Sequence, residues 1–234
     1  MVTRTCQERF KTPQGVFDQF TKRNLFVLES HGYFERLNSP LFVGKESNVF
    51  TAKKGNQQVI VKIYRLQNCD YKRMFEYIRQ DPRYEFLKNK RREIIFSWTQ
   101  REFKNLHRAQ ESGVNAPRPI TLKHNILIEE FIGDKQPAPR LKDSPPKNPQ
   151  KFFQDVVEQM CLLDHGELIH GDLSAFNILN YKEKPVLIDF SQSTITKTPN
   201  SEELLKRDIH NVVTFFRKHG VKADEEEVLE QIRN

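Results

Sequence analysis

In the first half of the chain, one stretch alternates between apolar and polar residues and a second stretch has the composition of a β-strand. The first runs from Leu41 to Ala52 around a small polar link, and the second, Gln58–Tyr64, is rich in β-branched side chains. A period of two places every second side chain on one face of a strand. With a turn at Lys53–Asn56 between them, these stretches predict a meander of three antiparallel strands.

Helical spacing of apolar residues dominates most of the remaining chain. Before the turn predicted at Asn38–Pro40, widely spaced aromatic residues indicate short amphipathic helices, and Phe10 is among them. The best helical pattern, Ile94–Gln110, ends before Gly113. Two further amphipathic helices are predicted at Phe152–His165 and Ser201–Gly220.

A proline-rich segment, Asp134–Gln150, follows the apolar strand predicted at Asn125–Ile132 and holds five of the twelve prolines. Such a composition is typical of a boundary between lobes. We therefore predict an α+β, two-lobed fold, with an antiparallel sheet and helices in the first lobe and mainly helices in the second. The predicted parts are a helical extension over residues 1–40, an N-terminal lobe over 41–133 and a C-terminal lobe over 134–234.

Composition narrows the class of protein. The 234 residues are 37% hydrophobic, enough for a core, which excludes a disordered tail or a disulfide-rich miniprotein. The three cysteines, Cys6, Cys69 and Cys161, include no C-x-x-C pair and support neither a disulfide framework nor a zinc site. Without an apolar run of membrane-spanning length or a signal-peptide pattern, we expect a soluble, cytoplasmic protein with no membrane partner.

Basic residues outnumber acidic ones by 38 to 31, and much of the excess lies between Arg65 and Lys104, with 11 Lys or Arg against 6 Asp or Glu. Such a segment can attract the phosphates of RNA or of a nucleotide. A charge run is more often a solvated helix face, so it indicates a partner only weakly.

The strongest chemical pattern is H-G-D-x-x-x-x-N followed by I-D-F. It contains Asp172, Asn177 and Asp189, and the turn at Tyr181–Pro185 would bring these side chains to one edge of two short strands. Alone, each could be an ordinary turn or cap residue. Together they predict phosphoryl transfer, with Asp172 as the catalytic carboxylate and Asn177 and Asp189 as oxygen ligands for Mg²⁺.

Three upstream features fit the same chemistry. Lys62 lies in an apolar strand and needs an anionic partner, for which Glu102 is the main candidate and Glu93 the alternative. Glu130 would present its carbonyl, and Ile132 its N–H, to an adenine ring. The turn between the first two strands has one glycine, and its expected phosphate-contacting residues are Lys45, Glu46, Ser47, Asn48 and Val49.

With these motifs the sequence resembles the RIO family of atypical serine/threonine protein kinases, in its Rio-one-type branch and compact archaeal form. The resemblance covers nearly all the chain. Further matching pieces are Asp81-Pro82-Arg83-Tyr84 in the family's flexible loop, Pro137–Leu141 after the hinge, Ser191-Gln192-Ser193, and Arg207-Asp208-Ile209-His210-Asn211 with Phe215-Phe216.

The resemblance implies ATP as the nucleotide, Mg²⁺ as the metal with Mn²⁺ as a substitute, and serine autophosphorylation or ATP hydrolysis through an aspartyl-phosphate on Asp189. It also implies a role in maturation of the small ribosomal subunit, with the pre-ribosomal particle, its RNA and proteins, as partner. The oligomeric state stays open.

Several features depart from ordinary protein kinases. Gly171 replaces the arginine before the catalytic aspartate, and few residues separate Asp189 from the last long helix, so an activation segment is not expected. Glu129 stands where the family's pattern leads us to expect an apolar side chain. Two alternatives remain open: a nucleotide-binding pre-ribosome or RNA scaffold with little turnover, and a small-molecule kinase of the aminoglycoside type.

Overall fold

The computed structural model describes residues 17–233, so the predicted helix around Phe10 lies outside the described part. The helices are α1 (Gln19–Ser30), α2 (Tyr71–Ile78), α3 (Arg91–Glu111), α4 (Pro149–His165), α5 (Ser201–Arg217) and α6 (Glu225–Arg233), with 3-10 helices at Pro82–Tyr84 and Phe190–Gln192. The strands are β1 (Arg36–Val43), β2 (Ser47–Lys54), β3 (Gln57–Tyr64), β4 (Pro119–Lys123), β5 (Ile126–Glu130), β6 (Leu168–Ile169), β7 (Ile178–Tyr181), β8 (Lys184–Leu187) and β9 (Thr194–Ile195).

Five strands form an antiparallel sheet in the order β1-β2-β3-β5-β4. The predicted three-stranded meander is therefore confirmed as β1, β2 and β3, and the predicted apolar strand is β5. β4 was not predicted from the sequence. Its five residues are mostly half-buried and carry no strong alternation, which leaves little signal in the sequence.

The turn predicted at Asn38–Pro40 is wrong, because β1 continues through it from Arg36 to Val43. β1 is an edge strand, where a proline does not have to donate a hydrogen bond to a second neighbour. The pairing with β2 shifts register on both sides of Pro40, so the strand accommodates the ring through irregularities in the ladder.

One face of the sheet carries the core of the first compact unit. Val59, Val61 and Ile63 of β3 belong to a buried apolar cluster with Leu25 and Leu28 of α1. Because side chains alternate along a strand, Ile60, Lys62 and Tyr64 lie on the opposite face. The sheet thus separates an apolar face packed against α1 from the face that carries Lys62.

The chain divides into two compact units whose borders differ from the predicted lobes. Of the described residues, the first comprises 17–76, 87–103 and 119–131, and the second comprises 77–86, 104–118 and 132–233. The segment 77–86, predicted as part of the N-terminal lobe, belongs to the second unit. Asp81 and Tyr84 in this segment are buried, so this part of the predicted flexible loop is packed.

The second unit is built from α4, α5 and α6 together with short antiparallel pairs, β6 with β9 and β7 with β8. Its proline-rich segment packs against β7. Leu141 is fully buried and its N–H donates to Ile178 O at 2.8 Å, while Asn180 N–H donates to Pro139 O at 2.9 Å. One N–H and one C=O of the proline-rich segment are thus paired with β7. Within residues 17–233, no helix has the length and apolar character needed to span a membrane.

Candidate active site

The lysine of β3 has a buried anionic partner. Lys62 Nζ lies 2.7 Å from Glu102 Oε1 of α3, and the two side chains are 6% and 1% exposed. Tyr64, two residues along the same face of β3, donates its hydroxyl to Glu102 Oε2 at 2.5 Å. Glu93, the alternative partner, instead pairs with Lys90 at 3.2 Å near the surface. Glu102 is thus the partner of Lys62, and its second carboxylate oxygen accepts the hydrogen bond from Tyr64.

The predicted phosphate-contacting turn is a tight hairpin. Gly44 N–H donates to Ser47 O at 2.9 Å, and Arg65 N–H donates to Glu46 O at 2.9 Å. Lys45 is exposed, and Val49 pairs directly with Lys62. The backbone of this turn is therefore adjacent to the strand that carries the lysine.

Asn48 occupies a different position from the one its sequence context indicates. Asn48 lies two residues before Phe50 on β2, so both side chains are on the apolar face of the sheet, where Asn48 is 1% exposed. Its Oδ1 accepts a hydrogen bond from Arg65 Nη2 at 2.9 Å. Its side chain thus faces away from Lys62, and any contact with a phosphate would involve its backbone.

The predicted adenine-contacting residues, Glu130 and Ile132, fall on either side of the point where the chain passes from the first unit to the second. Glu130 ends β5 and pairs with Val59, whereas Ile132 begins the second unit and its carbonyl accepts Ala138 N–H at 2.9 Å. Glu129 pairs with Ile60 and therefore shares the face of the sheet that carries Lys62. Glu129, which stands where an apolar residue was expected, is thus on the same face of the sheet as Lys62.

The catalytic loop, defined here as residues 170–177, holds Asp172 and Asn177 in contact. Asn177 Nδ2 donates to Asp172 O at 2.8 Å and to its Oδ2 at 3.2 Å. Gln192 Nε2 donates to the same carboxylate oxygen at 3.3 Å. Because the Asn177 amide nitrogen is directed at Asp172, its oxygen is turned to the other side and is available as a ligand.

The metal loop, defined as residues 189–193, follows the β7–β8 hairpin. Ile188 N–H donates to Asn177 O at 3.0 Å, so the pairing brings Asp189 to the same end of the hairpin as Asn177. This confirms the hairpin predicted from the turn at Tyr181–Pro185. Asp189 adopts the left-handed backbone conformation at φ 64° and ψ 70°, which is uncommon for a residue with a side chain. Active sites are one place where such residues cluster, and ordinary turns of this protein, at His124 and Lys182 for example, use the same conformation.

His170 and Gly171 connect the catalytic and metal loops. His170 Nε2 lies 3.1 Å from Ile188 O, and its ring packs against Phe190 at 4.9 Å between centroids. Gly171 has φ +76°, and a Cβ there would lie 2.9 Å from Gln192 O. The space between the loops therefore requires glycine at the position where ordinary kinases have arginine.

Asp208 of α5 binds the backbone of the catalytic loop. Its carboxylate accepts Gly171 N–H at 2.7 Å and Leu173 N–H at 2.8 Å, one on each side of Asp172. Arg207 donates to the carbonyl of Gly171. Burial raises the pKa of Asp208 from 3.8 to about 7, while the two N–H groups and Arg207 act in the opposite direction.

The stability of the protein should report this titration. Because the native pKa of about 7 lies above the unfolded value of 3.8, the native state binds more protons between these limits, so Asp208 lowers the unfolding free energy as pH rises. Relative to the Asp208→Asn variant, the unfolding free energy of wild type should fall by about 2–3 kcal/mol between pH 5 and pH 8. Urea denaturation at each pH measures both unfolding free energies. A difference that is independent of pH would show that Asp208 does not titrate there.

The donor set suits Mg²⁺. Asn177 and Asp189 offer one amide and one carboxylate oxygen donor group, and Mg²⁺ is commonly held by one or two carboxylates together with waters and substrate phosphates. Within residues 17–233 there is no cluster of three or more His, Cys, Asp or Glu that could hold a metal by itself. A metal at these two residues would complete its coordination with waters and nucleotide phosphates.

Some supporting residues were missed by sequence reasoning. Tyr64 could have been identified from its period-two spacing from Lys62. Asp208 and Gln192 were noted only as parts of matching segments, and Asn105, which bonds to the metal loop, gave no signal. Their contacts join residues 20 to 88 positions apart, and such pairing has no local pattern.

A five-stranded sheet with a lysine–glutamate pair, followed by a unit that carries the catalytic and metal loops, defines a protein-kinase-like fold. Residues 48–229 match the family model described as the RIO domain. The chain belongs to the RIO family and is a RIO1-type serine/threonine-protein kinase, an ATP-dependent phosphotransferase.

Named relatives agree with this assignment, and a solved structure agrees with the fold. The chain is 41% identical to the RIO-type serine/threonine-protein kinase Rio1 of Methanocaldococcus jannaschii, over 96% of this chain and 78% of that protein. It is 38% identical to the Haloferax volcanii protein of the same name, over 95% and 78%. In fold it is similar to the Rio2 kinase of Chaetomium thermophilum, with a TM-score of 0.70 and 23% identity over 90% of this chain and 66% of that one.

Proposed function

We propose that this kinase transfers the γ-phosphoryl group of ATP to serine hydroxyls, its own among them, and hydrolyses ATP through a phosphorylated Asp189, in the maturation of the small ribosomal subunit. The observation that carries the chemistry is the contact of Asn177 with Asp172 at the end of the hairpin that leads into Asp189. This arrangement supplies a base and two metal-binding groups from one short stretch of chain.

For transfer to serine, Asp172 would orient the acceptor hydroxyl and take its proton as the oxygen attacks the γ-phosphorus. The bond from that phosphorus to the β,γ-bridging oxygen breaks, and ADP leaves. Lys62, held by Glu102, would contact the α- and β-phosphates. Mg²⁺ bound by Asn177 and Asp189 would neutralise the charge on the phosphate oxygens.

For hydrolysis, an Asp189 carboxylate oxygen would attack the γ-phosphorus and ADP would leave, which forms an acyl phosphate. Water then attacks this phosphorus, the bond to Asp189 breaks, and phosphate and the free carboxylate result. The sum is ATP and water to ADP and phosphate. A solved Rio2 structure is named as an ADP/Mg²⁺-phosphoaspartate complex, which supports the same step here by analogy.

Incubation with γ-labelled ATP and Mg²⁺ tests both reactions. We expect labelled protein and released phosphate from wild type, with an acid-stable serine adduct and a hydroxylamine-labile aspartyl adduct. Asp189→Asn should abolish the labile adduct and weaken the dependence on Mg²⁺, whereas exposed Asp143→Asn should behave as wild type.

Either of two results would contradict this proposal and favour an alternative function. Nucleotide binding without label or phosphate release would favour the scaffold function. Transfer to small aminoglycoside-type acceptors, with no label on protein, would favour a small-molecule kinase.

The proposed ribosomal partner is supported by exposed cations before and within the start of α3. Lys88, Lys90, Arg91 and Arg92 are all exposed, and Arg91 and Arg92 stack over Tyr71 and Phe20 at 4.6 and 5.3 Å from the ring centres. Cations on a folded surface can neutralise RNA phosphates without reading sequence.

Reversing the charge of Lys90, Arg91 and Arg92 together should weaken binding to small-subunit ribosomal RNA and flatten its dependence on salt, because fewer counterions are released. Binding measured between about 50 and 200 mM salt checks this. Reversal of three exposed lysines of the second unit, Lys147, Lys151 and Lys222, is the matched control. Equal effects of both sets would indicate only a general dependence on net charge.

A further inference from the structure

A series of three polar side chains, Asp81, Arg83 and Asn105, leads to the metal loop. Asp81 and Asn105 are buried, and the Arg83 side chain is 25% exposed. Asn105 of α3, which is fully buried, donates from Nδ2 to Ser193 O at 2.7 Å and to Phe190 O at 3.2 Å. These two carbonyls belong to the turn that follows Asp189 directly. One side-chain amide therefore binds the metal loop at two points.

Arg83 determines the orientation of this amide. Its Nη1 donates to Asn105 Oδ1 at 3.0 Å, and a guanidinium has donors and no acceptor. The amide nitrogen is consequently directed at the two carbonyls. In the flipped orientation, Oδ1 would face both carbonyl oxygens and the NH₂ group would face the guanidinium, so all three interactions would be unfavourable.

Asp81 holds Arg83 in turn. The Asp81 side chain is completely buried, and its carboxylate receives Arg83 Nη2 at 2.6 Å and Nε at 2.9 and 3.1 Å. It also accepts the backbone N–H of Arg83 at 3.0 Å and the hydroxyl of Thr194 at 3.4 Å. A forked pair of this kind has one favourable geometry, so Arg83 has little freedom to move away from Asn105.

The metal loop is the part of the site that needs such support. Asp189 has a left-handed backbone, and Gln192 at the end of the 3-10 turn donates to the carboxylate of Asp172. A shift of the Phe190 and Ser193 carbonyls would move the groups on both sides of this turn. The support thus reaches the backbone that carries one predicted metal ligand and one contact of the predicted base.

We propose that Asn105 is a positioning residue for the metal loop, oriented by Arg83 and Asp81, and that it sets how strongly Mg²⁺ couples to nucleotide binding. The proposal rests on the function assigned above to Asp189. It gives the Asp81-Pro82-Arg83 turn, which is distant from Asp189 in sequence, a role in maintaining the geometry of the metal site.

The test compares Asn105→Ala with wild type in two measurements that require no turnover. The first is the affinity for a non-hydrolysable ATP analogue with Mg²⁺ and with EDTA. Residues that orient metal ligands typically change metal affinity about 10–100-fold, so we expect about a tenfold loss in Mg²⁺ and less than about a twofold change in EDTA. The second is hydrogen exchange of the free protein, in which residues 188–196 should exchange faster.

Asn24→Ala is the matched control, because Asn24 is also buried and donates to one helical carbonyl, Phe20 O at 3.0 Å, in the first unit. It should change neither measurement. If Asn105→Ala does not fold, Arg83→Lys serves in its place, since it keeps a cation near Asp81 and removes the fork. Loss of a single hydrogen bond of about 1 kcal/mol predicts roughly a fivefold loss in Mg²⁺ for this variant.

A folded Asn105→Ala or Arg83→Lys protein with wild-type Mg²⁺ coupling and wild-type exchange in residues 188–196 would overturn the proposal. Failure of the proposed function gives a different result. Wild type would then bind the analogue with Mg²⁺ and yet neither label itself nor release phosphate, while the effect of Asn105→Ala on coupling and exchange would be unchanged.

Discussion

Asp172→Ala should lower the rate of phosphoryl transfer by about 10²–10⁴-fold, the usual contribution of a positioned acid or base. The affinity for ATP should change little, because Asp172 is expected to act on the acceptor hydroxyl. Initial rates from labelled ATP, together with equilibrium binding of the nucleotide, measure the two effects separately. The loss should appear in kcat.

The surroundings of Asp172 make the comparison specific. Asn177 and Gln192 both donate to its Oδ2, and Asp208 holds the backbone on each side. Asp172→Asn retains the size of the side chain and removes its basicity, so it should be as inactive as the alanine variant. Asp143→Ala, at an exposed aspartate of the second unit, is the control. Normal turnover by Asp172→Asn would exclude a proton-accepting role.

Glu102→Ala should destabilise the protein by about 3–5 kcal/mol, the typical result of removing one partner from a buried ion pair. The ammonium of Lys62 would remain in a position that is only 6% exposed, and the Tyr64 hydroxyl would lose an acceptor. Chemical denaturation gives the free energy of unfolding. Activity should fall as well, because Lys62 would lose the group that holds it.

Two further variants distinguish the buried pair from a general effect on α3. Glu93→Ala removes an exposed glutamate of the same helix, 46% accessible, and should change stability by less than about 1 kcal/mol. Lys62→Met combined with Glu102→Leu removes both charges and should recover much of the stability lost in Glu102→Ala, although it abolishes phosphate binding. If the double variant is as unstable as Glu102→Ala, packing and not the uncompensated charge accounts for the loss.

Parts of the site could be predicted because their determinants are close together in sequence. The β7–β8 hairpin needs only two short apolar runs and a turn, and it carries Asn177 and the approach to Asp189 to one end. The strand containing Lys62 follows from its run of β-branched residues, which favour an extended backbone. In both cases local spacing determines which residues share a face or an end.

The β1 strand and Asn48 show where local patterns were insufficient. Pro40 indicates a turn in isolation, and it is accommodated in a strand because that strand lies at the edge of the sheet. Asn48 belongs to the turn predicted to contact phosphate, and its side chain nevertheless accepts a hydrogen bond from Arg65 on the apolar face. The neighbours on each face, which are contributed by other segments, decided both outcomes.

The sequence by itself determined the class of fold, the lysine strand, and the order and spacing of Asp172, Asn177 and Asp189. Only the tertiary structure decided which buried groups hold them: Tyr64 at Glu102, Asp208 behind the catalytic loop, and Asn105 behind the metal loop. The physical reason is that hydrogen bonds between distant segments depend on how whole elements pack. Such contacts leave no periodic pattern in the chain, whereas strands, helices and turns do.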